Sequence, residues 1–234
     1  IVLFPSIVDV AGINRISALT YQRAADAFAG MVAGSINTAQ LEVAPRPLIA
    51  ASMFGVTTQC GLHAKSGLGE AGFEVVVFHA TGTGGRTMER LIAEGHVDGV
   101  LDLTTTEWAD EIVGGILSAG QDRLGAAART GIPQVVSIGA TDMVNFGPPE
   151  NIPQRYAARL FYKHNAENTL MRVSVDEASR IGDAIGKQLR SSTAACTVLI
   201  PGEGPSALDG AGRPFDDPNA RAALRDALTQ QLAD

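Results

Sequence analysis

The chain has 234 residues, of which 45% are apolar and 18% charged, and its formal net charge at pH 7 is −7. This composition is typical of a globular protein with one sizeable core or two small ones. It argues against a nucleic-acid partner, because there is no basic stripe, and against a membrane partner, because no apolar run has membrane-spanning length.

The first residues predict a connection to something that precedes this chain. Residues 1–4 form an apolar run with no initiator methionine and no basic signal region. We therefore expect residues 1–14 to be a linker or strand from a preceding lobe, and residues 15–234 to be a single α/β domain. Apolar residues at helical spacing from Arg15 to Val32 predict the first helix, which Gly34 ends.

From there on, strands and helices alternate about five times. The strands are predicted at residues 48–53, 73–78, 98–103, 134–138 and 197–200, and the helices at 59–70, 86–94, 108–117, 124–129, 175–189 and 217–232. Because the strands are continuously apolar, we predict an open, mostly parallel sheet with helices on both faces, a Rossmann-like three-layer α/β fold. Residues 139–168 lack periodicity and predict a long functional loop.

Loops rich in glycine and threonine follow three of the predicted strands, and in a parallel sheet these loops share the edge where ligands bind. The loop 79–86 (HATGTGGR) leads into a helix whose free N–H groups and dipole favour an anion such as phosphate. It has neither the Lys-Ser/Thr ending of a P-loop nor dinucleotide glycine spacing, so a tight turn without ligand is equally compatible. The predicted cofactor-binding residues are Gly55, Thr57, Thr58, Thr81, Gly82, Thr83, Gly84, Gly85, Arg86, Thr104 and Thr105.

His79 is the predicted catalytic residue, because it lies where a strand ends and the glycine loop begins. A histidine in that place could also only hydrogen-bond a loop carbonyl. Asp102 could orient a histidine or a metal, or be a buried, satisfied carboxylate, while Glu107 is interpreted as a helix-capping charge. His164 and Asn165 belong to a polar cluster with several cationic residues that could bind an anion. No grouping has metal-ligand spacing, so we predict no metal site.

Several strings of the sequence together resemble one poorly characterised family of bacteria, fungi and plants. It is typified by the ATP-binding domain of a plant tobamovirus-resistance protein. The strings cover essentially the whole chain, at residues 4–14, 54–58, 78–85, 102–107, 142–146, 205–209 and 214–218. The resemblance implies a two-lobed α/β protein of which this chain is the C-terminal lobe. It also implies ATP or a related nucleotide, with or without magnesium, near the cleft between the lobes.

Three hypotheses about function stay open at this point. The first is a nucleotide- or phosphate-binding domain, whose site the N-terminal lobe or a second chain completes. The second is an enzyme acting on a small oxygenated carboxylic acid, with His79 as acid/base and Arg123, Arg155 and His164 holding the carboxylate. The third is a non-catalytic protein-interaction module. We also expect a homo-oligomer. We expect it to be cytoplasmic, since the two cysteines are best explained as buried thiols of a reducing compartment.

Overall fold

The structure is a computed structural model that describes residues 2–6, 12–35 and 46–233. It divides the chain into two compact units, residues 1–45 and 46–234. The division predicted from the sequence, at residues 14 and 15, remains a prediction. Residues 7–11 of the predicted linker lie outside the described part.

The first unit contains helix α1, Arg15–Ser35, close to its predicted bounds. Asn14 begins it, since the Asn14 side-chain oxygen accepts hydrogen bonds from the backbone N–H groups of Ile16 at 2.9 Å and Ser17 at 3.0 Å. This is the usual way in which an asparagine satisfies the first N–H groups of a helix.

The second unit is built on a five-stranded parallel sheet, which confirms the predicted α/β fold. Its strands are β1 Leu48–Met53, β2 Glu74–His79, β3 Gly99–Thr104, β4 Gln134–Gly139 and β8 Cys196–Leu199. Their order across the sheet is β2-β1-β3-β4-β8. This is a doubly wound order in which the crossover direction reverses between β1 and β3, the point where such sheets commonly bind ligands.

Helices connect these strands and cover the sheet. They are α2 Thr58–Glu70, α3 Thr83–Ala93, α4 Glu107–Val113, α5 Gly125–Thr130, α6 Val175–Arg190 and α7 Pro218–Ala233. Helix α4 ends four residues before its predicted end at Leu117, because Gly114 adopts a left-handed φ of 98° that stops the helix. Among the helices of the described residues, none is long and apolar enough to cross a membrane.

Residues 139–168 are not the long loop that the sequence predicted. They contain β5, Met143–Phe146, and β6, Phe161–Lys163, which pair antiparallel with β7, Thr169–Arg172, in the order β5-β7-β6. Strands of three and four residues are too short for an alternating pattern to stand out. This small sheet brings His164, Asn165, Asn168 and Leu170 to the main sheet's C-terminal edge, where they line a cavity.

The largest apolar core joins both sheets to the helices of the C-terminal half. Its most deeply buried members come from β4, β5 and β7 and from α6 and α7, and include Val136, Val144, Met171, Ile181 and Leu228. A second core packs β1 and β3 against α3 and α5. The two cores fix the strands, so the loops at the strand ends are held by a rigid support.

Candidate functional site

The loops that follow the parallel strands meet at one edge, as the sequence predicted. The hydroxyl oxygens of Thr57, after β1, and Thr104, at the end of β3, are 2.7 Å apart. The backbone N–H of Thr105 donates to the carbonyl of Gly139 at 3.0 Å, which joins the ends of β3 and β4. The Thr57–Thr104 hydrogen bond closes the gap between β1 and β3, so the open space lies elsewhere on this edge.

A cavity of about 240 Å³ lies at the ends of β1 and β2, and we call it the histidine cavity. It brings His79, Gly55 and Thr81 together with His164 and Asn165, which the sequence suggested only as a separate polar cluster. Its full lining is Phe54, Gly55, Val56, His79, Thr81, Leu117, Asn145, His164, Asn165, Asn168 and Leu170. Apolar side chains and neutral hydrogen-bonding groups therefore dominate it.

The two arginines that the second hypothesis assigned to a carboxylate do not line this cavity. Arg123 is 1% exposed and its guanidinium is surrounded by carboxylates. Arg155 lies over the ring of Tyr156, with its guanidinium carbon 4.7 Å from the ring centre. Among the described residues that line the histidine cavity there is no arginine or lysine. The structure therefore does not bring Arg123 and Arg155 to the cavity that His79 lines.

Asn145 is held on the cavity wall by a buried carboxyl that the sequence did not single out, Asp110. One oxygen of Asp110 accepts from the Asn145 backbone N–H at 2.6 Å, and the other accepts from the Asn145 side-chain amide at 3.0 Å. Burial raises the pKa of Asp110 to about 7, although these hydrogen bonds act in the opposite direction. Asp110 fixes the orientation of an amide that faces the cavity.

The glycine loop already holds an anion, which is the side chain of Glu107. The backbone N–H groups of Gly82 and Gly85 donate to one oxygen of Glu107, at 2.6 and 3.1 Å. Glu107 was predicted to cap its own helix, α4, but its hydrogen bonds satisfy N–H groups at the start of α3 instead. A phosphate on these two amides would have to displace Glu107, so Gly82 and Gly85 remain predicted ligand residues only on that condition.

Glu107 belongs to a buried charge cluster around Arg123, which we call the Arg123 cluster. The guanidinium donates to Glu107 at 2.6 Å, to Asp102 at 2.8 Å and to Glu89 at 3.0 Å. Burial alone lowers the pKa of Arg123, but the neighbouring Asp102, Glu107 and Glu89 outweigh it and raise that pKa above its ordinary value. Asp102 also accepts from the Ser52 hydroxyl at 2.6 Å, so it is a buried, satisfied carboxylate.

Most of the other predicted ligand residues make hydrogen bonds within the protein. The hydroxyls of Thr57 and Thr58 donate to the Phe54 carbonyl at 3.1 and 3.0 Å, and that of Thr105 donates to Ser137 at 3.1 Å. The exposed residues Thr83 and Arg86 lie on α3, with the guanidinium of Arg86 donating to the Ser118 carbonyl at 2.7 Å.

Gly84 has a backbone reason for being glycine, because a Cβ there would collide with the carbonyl of His79. His79 itself is exposed, at the end of β2, and its ring centre is 5.5 Å from that of Phe54. A substitution at Gly84 therefore acts on the backbone of the predicted catalytic residue.

A second cavity, of about 350 Å³, lies at the ends of β4 and β8 beside the start of α7, and we call it the Asp142 cavity. Asp142 is 1% exposed, and one of its carboxyl oxygens has no hydrogen-bond partner among the described residues. Burial raises the pKa of Asp142 to about 7. The sequence placed Asp142 in the predicted functional loop of residues 139–168, but nothing in it distinguished Asp142 from other loop acids.

The sequence comparisons cover nearly the whole chain. The model of the family described as "Uncharacterised protein family (UPF0261) C-terminal domain" matches residues 46–234. A UPF0261 protein of Clostridium tetani is 50% identical over 232 residues, which are 99% of this chain and 57% of that protein. One from Rhizobium meliloti is 48% identical over 228 residues, which are 97% of this chain and 56% of that protein.

A plant protein is also similar over the same length. The "ToMV resistance protein Tm-1(GCR237)" of Solanum lycopersicum is 42% identical over 234 residues, 99% of this chain and 31% of that protein. The chain thus spans 57% or less of the length of these relatives. A solved cystathionine gamma synthase of Xanthomonas oryzae, at 13% identity, covers 80% of this chain and 41% of its own with a TM-score of 0.25. At that score the likeness carries no argument.

Proposed function

The chain belongs to the UPF0261 family, with residues 46–234 matching its C-terminal domain, and from this premise we propose that the histidine cavity binds a nucleotide of the ATP type. The observation that carries the proposal is that Gly55, His79 and Thr81 line one cavity with His164 and Asn165 at the C-terminal edge of the sheet. We expect an N-terminal lobe such as the longer relatives have room for, or a second chain, to complete the site.

The chemistry of the cavity supports the nucleoside part of such a ligand. The side-chain nitrogen of Asn145 already donates to Asp110 and Thr106. Asn168 donates to the amide oxygen of Asn165 at 3.1 Å. The Asn165 nitrogen and the Asn168 oxygen are the donor and the acceptor that we expect to pair with the polar edge of an adenine. The tilted rings of Phe54 and His79 offer aromatic contact to a flat base. Leu117 and Leu170 add apolar surface, so a base can lose its water without losing its hydrogen bonds.

The phosphates are expected to point outward, toward the exposed imidazoles of His79 and His164. The inward alternative, on the N–H groups of Gly82 and Gly85, would cost the bonds that Glu107 makes there. Other helix starts are capped by the chain's own side chains, namely Glu89 at α5, Ser174 at α6 and Asp217 at α7. We therefore propose a site that recognises the base more strongly than the phosphates, with or without magnesium on the latter.

An enzyme that acts on a small oxygenated acid is the weaker candidate. The presence of His79 and His164 on one cavity favours acid/base chemistry. However, the described lining residues offer such an acid no guanidinium or ammonium for its carboxylate. The nucleotide is preferred for that reason.

Calorimetry on this chain and on the full-length protein tests the proposal, with ATP, adenosine and inorganic triphosphate as probes. We expect ATP and adenosine to bind and triphosphate alone to bind at least tenfold more weakly. His79→Ala should weaken ATP binding by about tenfold, equivalent to about 1.4 kcal/mol, whereas His96→Ala, on an exposed histidine beside Glu94, should not change it. Equal binding of triphosphate and ATP would mean a phosphate site, and no heat from either protein would reject nucleotide binding altogether.

A further inference from the structure

The Asp142 cavity is separate from the histidine cavity in its lining residues and is assembled from distant parts of the chain. Ile138, Thr141 and Asp142 come from the end of β4, Ile200 and Pro201 follow β8, and Ala220 and Leu224 come from α7. Its volume of about 350 Å³ falls in the range of small-molecule sites. Most of its walls are aliphatic, which favours a ligand with an apolar body.

The polar feature of this cavity that calls for a partner is the carboxyl of Asp142. One oxygen accepts from the Ser206 hydroxyl at 2.7 Å, while the other, Oδ1, is buried without a partner among the described residues. A buried polar atom left unpaired costs about 1–3 kcal/mol, and native proteins leave few such atoms unexplained. Because Asp142 lines the cavity, a molecule that occupies the cavity is the partner that we consider for Oδ1.

The charges around Asp142 are already paired, so they do not call for a charged ligand. On β7, Arg172 forms an ion pair with Asp209 at 3.3 Å. On α7, Arg221 pairs with Asp209 at 2.9 Å and with Asp216 at 3.0 Å, and Arg225, which also lines the cavity, pairs with Asp226 at 2.8 Å. A ligand cation would lie near these arginines, and a ligand anion would lie near Asp209 and Asp142.

We propose that the Asp142 cavity binds a small uncharged molecule that has an apolar body and a hydroxyl group paired with Oδ1 of Asp142. A hydroxyl is both donor and acceptor, so it pairs with the carboxyl whether that group is ionised or protonated. This matters because burial raises the pKa of Asp142 to about 7, so both forms exist near neutral pH. An ammonium, which is only a donor, forms an ion pair only with the ionised form, and a carboxylate, which is only an acceptor, pairs only with the protonated form.

A matched series of four probes with the same ring tests the proposal by ligand-observed NMR titration at pH 7. The probes are benzyl alcohol, toluene, benzylamine and benzoate. With the unaltered protein we expect benzyl alcohol to bind at least tenfold more tightly than toluene, and more tightly than either charged probe. Tighter binding of benzylamine or benzoate, equal binding of toluene, or no binding of any probe would overturn the proposal.

Two substitutions distinguish the hydrogen bond to Asp142 from nonspecific apolar binding. Asp142→Leu keeps the approximate shape but removes the acceptor, so benzyl alcohol and toluene should bind within about twofold of each other. Asp142→Asn retains an oxygen and should keep the preference for the alcohol, even if the leucine variant does not fold. Asp176→Leu, the same change at an exposed position on α6, is the control. A preference that survives Asp142→Leu, or disappears in Asp142→Asn, contradicts the proposed pairing.

Discussion

Two buried acids follow adjacent strands of the sheet, Glu107 after β3 and Asp142 after β4, and their surroundings are opposite. Both oxygens of Glu107 are occupied, by the amides of Gly82 and Gly85 and by Arg123. Among the described residues, Asp142 has a partner for one oxygen only. The comparison shows that the N–H groups of a glycine loop at a helix start can serve a hydrogen bond within the fold. It also shows that a less conspicuous acid, Asp142, can retain a carboxyl oxygen that has no partner among the described residues. Each prediction below would break or sharpen this contrast.

The largest effect is expected from Glu107→Ala. It would leave Arg123 buried with less compensation and would remove the acceptor for the amides of Gly82 and Gly85. Breaking a buried ion pair by removing one partner typically costs about 3–5 kcal/mol, and we expect that loss of unfolding free energy in urea denaturation. Glu94→Gln, which alters an exposed pair with Arg90, should leave the unfolding free energy essentially unchanged. A loss of similar size in both variants would mean that the Arg123 cluster stabilises no more than surface charge does.

The next effect concerns the backbone of the glycine loop. Gly84→Ala would push a Cβ into the carbonyl of His79, so the loop or the end of β2 must move. Overpacking of this kind costs about 1–3 kcal/mol, measurable by the same denaturation. Gly55→Ala is the matched control, because a Cβ there meets no atom within 4 Å among the described residues. If Gly84→Ala lowers the unfolding free energy no more than Gly55→Ala does, the loop has room for the added Cβ beside the carbonyl of His79.

How much of this site the sequence predicts depends on how far apart along the chain the contacting residues are. The parallel sheet and the meeting of its loops follow from local patterns, and the position of His79 at this edge was predictable because it ends an apolar strand. The occupation of the glycine loop was not predictable, since Glu107 reaches Gly82 from 25 residues away. The same holds for Asp142, whose hydrogen-bonding partner Ser206 is 64 residues distant. Local patterns give the elements, but which polar atoms remain unpaired is decided by side chains that the fold brings together.

The pH dependence of stability should distinguish Asp142 from a paired acid. Burial raises the pKa of Asp142 in the folded protein to about 7, despite the Ser206 hydrogen bond and Arg172, whereas an unfolded aspartate has a pKa near 3.9. Between these values the folded state binds the proton and the unfolded state does not, so stability falls as the pH rises. Asp142→Asn removes this proton.

We therefore expect the unfolding free energy of the unaltered protein to fall relative to Asp142→Asn by about 1 kcal/mol between pH 5.5 and 6.5, and at most about 1.4. Urea denaturation of both proteins at the two pH values measures it. Other titrating groups, Asp110 among them, are present in both proteins and cancel in the difference. A difference that does not vary with pH would show that Asp142 is ionised throughout and has the charge compensation that we attribute only to Glu107.

The smallest effect is expected at Arg86, the cation at the end of the glycine loop. Its guanidinium donates to the Ser118 carbonyl but is exposed, so Arg86→Ala should cost less than about 1 kcal/mol of stability. The Arg86→Ala variant is most informative for ligand binding. If Glu107 keeps the loop closed, the affinity of Arg86→Ala for ATP should stay within about twofold of that of the unaltered protein in calorimetry, whereas His79→Ala weakens it. A tenfold loss with Arg86→Ala would mean that phosphates displace Glu107 and rest on the loop. The glycine loop, whose N–H groups bind Glu107 in this structure, would then release Glu107 and bind the ligand.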